Sequence, residues 1–284
     1  MPSRPQSEQS KLYSAKLVSS QRITPESSTE DVRHLIFKTI HDSFECKAGA
    51  SVRVMVPLQN GNHYHARFYS IADPIEARGD STEFSLCVRR CYYIDDFDGG
   101  EYKGVASNYL CDLQPGDFIE FEGPFGLAFP VPEDKSANIL MIGMGTGIAP
   151  FRAYIRHIYE NVGEWEGKIR LFYGSRTGLE MLYMNKENSD LAMYYDEKTF
   201  KAFQAISPRS YVETPIALDK ALEQNAAEVL ATLQSPSTYI FVAGLKPMLT
   251  RVEKALAGIA GSEEEWNLLK NDVVLTGRWG EILY

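Results

Sequence analysis

Cysteine is scarce in this chain, and what there is does not cluster. The four residues, Cys46, Cys87, Cys91 and Cys111, include no Cys-x-x-Cys pair. That argues against a disulfide framework and against an iron–sulfur site. Free, buried or half-buried thiols in a reducing compartment are expected instead. No apolar run is long enough to span a bilayer. The opening MPSRPQSEQSKLYSAK has no apolar stretch of the secretory kind, so a short disordered tail and a cytoplasmic protein are the expectations. Basic residues are also in deficit: 29 Lys and Arg stand against 38 Asp and Glu, for a net charge of −9. This argues against nucleic acid as a partner, because phosphate binding needs a basic field. Local basic groups remain at Arg89–Arg90 and at Lys246, Arg251 and Lys254, either as solvated faces or as a docking surface for an acidic partner.

What is present suffices for two domains. The chain has 284 residues, 44% hydrophobic and 24% charged, against roughly 100–200 residues per domain. The first half reads as all-β. SAKLVSSQRIT, VRHLIFKTI, SVRVMVPL, HARFYSIAD, EFSLCVRRCYY and DFIEFEGPFG are short alternating or β-branched runs, separated by turn-rich pieces such as QNGN and ARGD. Strands at this spacing predict an antiparallel barrel or sandwich. One helix interrupts them in ASNYLCDLQPGD, with Ser107 and Asn108 as caps and Pro115–Gly116 as the stop. The second half alternates strand-like ANILMIGMG, IRLFYGSR, KAFQAIS and STYIFVAGL with helix-like APFRAYIRHIYENV, LDKALEQNAAEVLATL and KPMLTRVEKALAGI. Such alternation predicts a doubly wound parallel sheet with helices on both faces. The Pro-rich, charged stretch AFPVPEDKSAN marks the join. The expected units are a tail over 1–16, a β-barrel over 17–132 and an α/β unit over 137–284.

In MIGMGTGIAPFRAY a buried strand ends in Gly143, Gly145 and Gly147, and a helix begins at about Ala149–Pro150. Pro suits the first helical position. Glycines let backbone approach a ligand, and helix N-terminal N–H groups favour an anion such as a pyrophosphate. The spacing is GxGxGxxP, not GxGxxG with a ribose-binding acid. A second candidate lies in the first half. RFYS puts Arg67 and Tyr69 on one strand face and Phe68 and Ser70 on the other, and KGVASNYL offers small residues and a Ser at a helix start. A cation, a stacking aromatic and a helix N-terminus are what a flavin dinucleotide needs. The same residues also fit a surface Arg, a core Tyr and an ordinary cap.

Taken in order, these segments resemble the plant-type ferredoxin–NADP⁺ reductase family from about Leu17 to Tyr284. RFYSIAD is similar to its RxYS flavin motif, KGVASNYLCDLQPGD to its GVxSNxLxxLxPGD segment, GMGTGIAPFR to its GTGIAPFR, and YIFVAGLKPM to a strand ending in CGLKxM. GPFG closes the barrel as in the family, and the sequence ends in Tyr. The resemblance implies FAD and NADP(H) as cofactors. It implies Arg67 at the flavin pyrophosphate, Tyr69 beside the isoalloxazine, Ser70 near its N5 and Tyr93 on the adenine. Gly104, Val105, Ala106 and Ser107 fall in the phosphate segment, and Cys87, Val88 and Arg89 in the strand that precedes it. Thr146, Gly147 and Pro150 match the nicotinamide-side loop. Ser175, Arg176, Ser207 and Arg209, with Gly244, Leu245 and Met248, complete the NADP side. Tyr284 is implied to stack over the flavin as a gate that nicotinamide must displace, a role suited to a planar ring.

Two positions depart from the family. Its Cys before GLK is Ala243 here. Its Glu-x-Tyr ending becomes Ile282-Leu283-Tyr284, with Glu281 one residue early, and in an extended segment one residue changes the side. Ser70, Tyr284 and Glu281 are the catalytic candidates on this reading, and slower nucleotide turnover than in a typical member is expected, because misplacement costs rate. The 2′-phosphate site is sought at Ser207 and Arg209 of AISPRSYVETP, with Tyr211 under adenine. The implied enzyme moves electrons between NADP(H) and a separate acidic carrier, a ferredoxin or flavodoxin, with Arg89, Arg90, Lys246 and Lys254 steering it. The alternatives are an NAD(P)H-dependent reductase component of an oxygenase system and a non-catalytic FAD-binding redox sensor.

Overall fold

The structure, a computed structural model, describes residues 11–39, 44, 49–58, 63–73, 76–78, 81–94, 99–126, 129–175, 181–196, 198–206 and 217–284. In the first half the strands are β1 (Leu12–Arg22), β2 (Val32–Thr39), β3 (Ser51–Pro57), β4 (Tyr64–Ser70), β5 (Glu76–Arg78), β6 (Ser81–Arg89), β7 (Tyr92–Ile94), β8 (Glu101–Lys103) and β9 (Phe118–Phe125). Among the described residues seven of them form one antiparallel sheet, in the order β4-β3-β9-β1-β2-β6-β5, while β7 and β8 make a separate hairpin. The sheet curls until its ends meet. Ile71, just past β4, bridges Leu86 of β6, and the Ala72 N–H donates to the Ser85 carbonyl at 2.9 Å. Alternation drives this closure. Tyr13, Ala15 and Leu17 of β1, Val52, Val54 and Val56 of β3, and Ile119 and Phe121 of β9 all point into one core. At its centre the Phe44, Phe84 and Phe121 rings pack with centroids 5.1–5.6 Å apart. Helix α1 (Val105–Asp112) fills the barrel with Ala106, Leu110 and Cys111.

The second half holds β10 (Ile139–Met144), β11 (Ile169–Ser175), β12 (Phe200–Ile206), β13 (Tyr239–Gly244) and β14 (Trp279–Leu283), with α2 (Ile148–Arg156), α3 (Ala217–Gln224), α4 (Ala226–Leu233), α5 (Lys246–Ala260) and α6 (Glu263–Leu275). The strands make a parallel sheet in the order β12-β11-β10-β13-β14. Each central strand is apolar on both sides. Ile139 and Met141 of β10 pack with Phe151 and Tyr154 of α2. Leu140 and Ile142 pack instead with Leu222, Val229, Val252 and Leu256 of α3, α4 and α5. The expected barrel plus doubly wound sheet is the observed architecture.

Local expectations differ in five places. Residues 12–16 are strand, not tail, because the inward alternation already starts at Tyr13 and Leu12–Lys16 pairs with β9. CVRRCYY is broken between β6 and β7, where Arg90 turns to Asp31 and the Cys91 N–H donates to Ser107 Oγ. The stretch LDKALEQNAAEVLATL is two helices split at Asn225, whose amide donates back to the Ala221 carbonyl at 2.8 Å and competes with the helix ladder. The helix at KGVASNYL starts at Val105, so Ser107 and Asn108 lie inside it rather than capping it. Helix α6 carries no clear apolar stripe in sequence; only Trp266 and Val273 of it are fully buried.

The barrel and the α/β half are joined by a buried ion network. Asp73, three residues past β4, receives both Arg152 and Arg156 of α2. On the barrel side it takes His34 Nε2 at 3.1 Å and the Ser85 hydroxyl. Arg152 also donates to the Ala72 carbonyl at 2.7 Å and to Asp190 at 2.9 Å, and lies 4.5 Å over the Tyr183 ring. The Tyr183 hydroxyl meets His34 Nδ1 at 2.8 Å. Burial alone would raise the Asp73 carboxyl. The His34 hydrogen bond, the Arg152 charge and the Ser85 hydroxyl outweigh it and hold the group well below the usual carboxylate range.

Removing the charge from one partner of a buried pair costs roughly 3–5 kcal/mol. Asp73→Asn is therefore expected to lower stability by about 3 kcal/mol at neutral pH, read as a shift in the urea midpoint. Since the folded carboxyl titrates below its unfolded value of about 3.9, its contribution is complete above that value and is lost as pH falls through the folded one. The gap between the wild type and Asp73→Asn should hold from neutral pH to about 5 and narrow below about 4. A gap independent of pH would contradict this.

Candidate functional site

Strand β4 is an edge of the barrel sheet, and it carries Arg67, Tyr69 and Ser70. Its neighbour β3 sets Val54 opposite Arg67 and Val52 opposite Tyr69, and both valines belong to the core. Arg67 and Tyr69 thus share the inward side of an open edge. Phe68 turns outward, where its ring meets Phe125 at 5.1 Å and the Arg53 guanidinium at 5.9 Å. Tyr69 packs against the core, and burial pushes its phenol well above the ordinary range, so it presents a neutral ring. Arg67 is exposed, and among the described residues it donates only to the Ala66 carbonyl, at 3.2 Å. No described carboxylate pairs with it, which leaves a free guanidinium suited to phosphate.

The start of α1 is built around Gly104. A Cβ there would lie 2.9 Å from Ser107 Oγ and 3.2 Å from the Cys91 carbonyl, so a larger residue would push Ser107 from its place. The Asn108 amide donates to the Cys91 and Gly104 carbonyls at 2.8 and 2.9 Å. Ser107 Oγ accepts from the Cys91 N–H at 3.1 Å. Ser107 and Asn108 thereby tie the helix start to the β6–β7 connection, and no side chain caps the helix. The first-turn N–H groups at Val105, Ala106 and Ser107 have no intrahelical carbonyl to bond, which suits them to a phosphate.

On the α/β side, Gly145–Gly147 is a single 3₁₀ turn between β10 and α2. Gly145 has φ +59°, and its carbonyl accepts from the Tyr173 hydroxyl at 2.8 Å. A Cβ on Gly147 would sit 2.3 Å from the Ala243 carbonyl oxygen. Both glycines are thus required, one by conformation and one by contact. Pro150 is the third residue of α2, within its first turn, where proline is tolerated. Tyr284 reaches this turn: its hydroxyl lies 2.9 Å from Thr146 Oγ1 and 3.4 Å from the Met144 carbonyl. The ring is half exposed, and Cys87 and Arg89 at the end of β6 lie within electrostatic reach of it. The turn, Tyr284 and the end of β6 therefore converge.

Other sequence candidates lie elsewhere. The Cys87 and Val88 side chains are buried, and burial pushes the Cys87 thiol up to about 12, so neither presents a side chain to a ligand. Arg89 forms a bidentate pair with Glu30. Arg90 is bound by Asp31, Asn108 and Asp112. Neither is a free steering charge, because the β1–β2 connection brings Glu30 and Asp31 against them. Tyr93 is exposed and stacks on Tyr102 at 5.6 Å. Ser175 is buried at the end of β11, Gly244 has φ +150°, and Leu245 is exposed. Met248 is fully buried in the core under Gly244. Arg176, Ser207, Arg209 and Tyr211 lie outside the described residues.

Glu281 is not on the Tyr284 turn side. In β14 it pairs with Val242, is exposed and accepts from Trp279 Nε1 at 3.2 Å, whereas Ile282 pairs with Ala243 and packs with it against the α2 side of the sheet. The strand period sends the carboxylate to the opposite face. Sequence reasoning missed Asp73 and Arg152, although both stand inside the quoted motifs RFYSIAD and GTGIAPFR.

Residues 16–129 match the family described as the oxidoreductase FAD-binding domain, and residues 141–254 the oxidoreductase NAD-binding domain. Ferredoxin–NADP reductase of the cyanelle of Cyanophora paradoxa is 31% identical, with 94% of this chain and 75% of that protein covered. Ferredoxin–NADP reductase of Spirulina sp is 31% identical, with 94% and 93% covered. Among solved structures, ferredoxin–NADP⁺ reductase from Plasmodium falciparum superposes with a TM-score of 0.72 over 96% of both chains at 19% identity, a likeness of fold. No helix among the described residues is long and apolar enough to cross a membrane.

A free guanidinium on a solvent-facing edge can be removed at little cost to folding, within about 0.5 kcal/mol, while a charge-assisted contact to a phosphate is worth about 1.5–3 kcal/mol. Arg67→Ala is expected to hold FAD some ten- to a hundredfold more weakly with an unchanged apoprotein melting curve. Flavin retention on ultrafiltration, measured beside thermal unfolding of the stripped protein, checks both halves.

Proposed function

The chain belongs to the ferredoxin–NADP reductase family, and we propose that it passes electrons between NADP(H) and a one-electron carrier protein, a ferredoxin or flavodoxin. The observation that carries the reading is the Asp73–Arg152 contact, which ties the end of the flavin-side strand to the helix of the nicotinamide-side turn. FAD supplies hydride exchange with the nicotinamide and single-electron exchange with the carrier. The protein's own part is placement. Arg67 and the first turn of α1 hold the pyrophosphate, Tyr69 flanks the flavin ring, and Ser70 follows at the strand end. Thr146 and Gly147 receive the nicotinamide nucleotide, and Tyr284 covers the same position until it arrives.

Nothing titratable stands where the family has its Cys and Glu. Ala243 and Ile282 are register partners on adjacent strands, so the two departures form one apolar patch. Arg209 and Ser207 are the proposed 2′-phosphate contacts. For the carrier, the proposal narrows to Lys246 and Lys254 on α5, both exposed, because Arg89 and Arg90 are already paired. A reducing, cytoplasmic setting is part of the reading, supported by Cys87, Cys91 and Cys111 being free.

Anaerobic titration of the yellow holoprotein is the first test. NADPH should bleach the visible flavin band at much lower concentration than NADH, and Arg209→Ala should weaken NADPH far more than NADH. Bleaching by NADH at the lower concentration would move the protein to an oxygenase-system reductase, and bleaching by neither would make it a flavin sensor. Rapid mixing gives a separate expectation: with Ala243 and Ile282 supplying no thiol or carboxylate, hydride transfer should be slower than in a member that keeps both groups, and equal rates would refute this.

A further inference from the structure

The hairpin of β7 and β8 stands apart from both larger sheets, and its base is the start of α1. The Gly104 N–H donates to the Cys91 carbonyl at 2.9 Å. Cys91 and Gly104 therefore continue the register that pairs Tyr92 with Lys103, Tyr93 with Tyr102 and Ile94 with Glu101. Side chains alternate along a strand, so Tyr93 shares a side with Cys91, and Tyr102 shares it with the vacant Cβ direction of Gly104. A Cβ on Gly104 would meet Ser107 Oγ at 2.9 Å and Cys91 Cβ at 3.3 Å. This side of the hairpin is thus the one turned toward the first turn of α1. Two flat rings stand on it: Tyr93 and Tyr102 stack with centroids 5.6 Å apart and planes 23° apart. Tyr93 is still 54% exposed, so its partner covers one face and the other is open. The pair lies two residues beyond the Cys91–Gly104 base, about 7 Å at the strand rise. A ribose is the unit that spans such a gap between a pyrophosphate and an adenine, and an open aromatic face is a stacking surface for a base.

We propose that Tyr102 is a positioning residue for the adenine end of FAD: it backs the Tyr93 ring and so raises the chain's preference for FAD over FMN. The proposal rests on the reading that the first turn of α1 holds the pyrophosphate and that the adenine lies on Tyr93. It goes beyond that reading by making the platform two rings deep. A lone exposed tyrosine samples several rotamers and loses that freedom when a ligand stacks on it. Tyr102 settles the rotamer in advance and keeps water from the back of the ring. The interaction of an aromatic pair sets the scale, about two- to tenfold in a dissociation constant.

The test is fluorescence titration of the full-length apoprotein with FAD and with FMN, which has the same flavin ring but lacks the AMP half. Tyr102→Ala should hold FAD about two- to tenfold more weakly and FMN unchanged. Tyr102→Phe keeps the stack and should match the wild type for both flavins. Tyr102→Ala made on top of Tyr93→Ala should cost FAD nothing further, as residues acting through one platform require. The proposal is overturned if Tyr102→Ala binds FAD as the wild type does, if Tyr102→Phe is as weak as Tyr102→Ala, or if the two alanine substitutions are additive. Equal weakening of FAD and FMN also overturns it, since Tyr102 would then only brace the start of α1. Should the wild type bind FMN as tightly as FAD, the adenine reading of Tyr93 falls and the role of Tyr102 with it. Binding of neither flavin removes the FAD reading itself.

Discussion

The structure turns on the carboxylate of Asp73. It takes two guanidinium groups from α2 and a ring nitrogen and a hydroxyl from the barrel, in a region where an unpaired charge would be prohibitively desolvated. No partner can be removed without stranding another. Arg152 is 5% exposed, and its remaining donors go to Ala72, which follows the barrel-closing residue Ile71, and to Asp190. One salt bridge therefore links barrel closure at Ile71–Leu86 to the start of α2, and so fixes the flavin-side edge relative to the glycine turn. A two-domain flavoprotein needs that constraint, because hydride transfer depends on placement at the ångström scale.

The glycine turn is determined a second way, from the sheet. Gly147 lies against the Ala243 carbonyl with no room for a Cβ, and Gly143 against Phe151, where a Cβ would meet the ring at 2.7 Å. These glycines answer to packing between β10, β13 and α2 as much as to any ligand. A glycine-rich turn is thus only half a functional signal. The other half here is that Thr146, the one side chain in the turn, points outward to meet Tyr284.

Much of this was legible in the sequence. Barrel alternation in SVRVMVPL and DFIEFEGPFG, and the change to two-sided apolar strands at ANILMIGMG, give both sheets, because each is a direct consequence of which faces are buried. The turns at Gly104 and Gly145–Gly147 were legible from composition. What escaped reading depends on contacts between distant segments. Asp73 and Arg152 are 79 residues apart, and each looked like an ordinary motif residue. Ser107 and Asn108 resembled caps because their chemistry is that of caps; only the nearness of Cys91 shows that they bond sideways. Arg89 and Arg90 resembled free charge because a sequence does not reveal that Glu30 and Asp31 fold against them.

The strand period decides the most consequential of these. Glu281 and Ile282 differ by one position, and in β14 one position is a change of face. The carboxylate goes to the side where Trp279 accompanies it, and the isoleucine goes to the side shared with Ala243. A shift of β14 by one residue would bring a carboxylate to the Ala243 face. It would also carry the partly buried Trp279 and Leu283 side chains away from the core they pack against with α5 and α6, where even full burial of such a side chain is worth about 1.5–3 kcal/mol. Packing on the α5–α6 side therefore locks the register, and the locked register keeps the patch beside Tyr284 apolar. On this argument the loss of titratable groups there is a property of the whole strand, and substitution at position 282 alone would place a carboxylate against a packed hydrophobic surface without a partner.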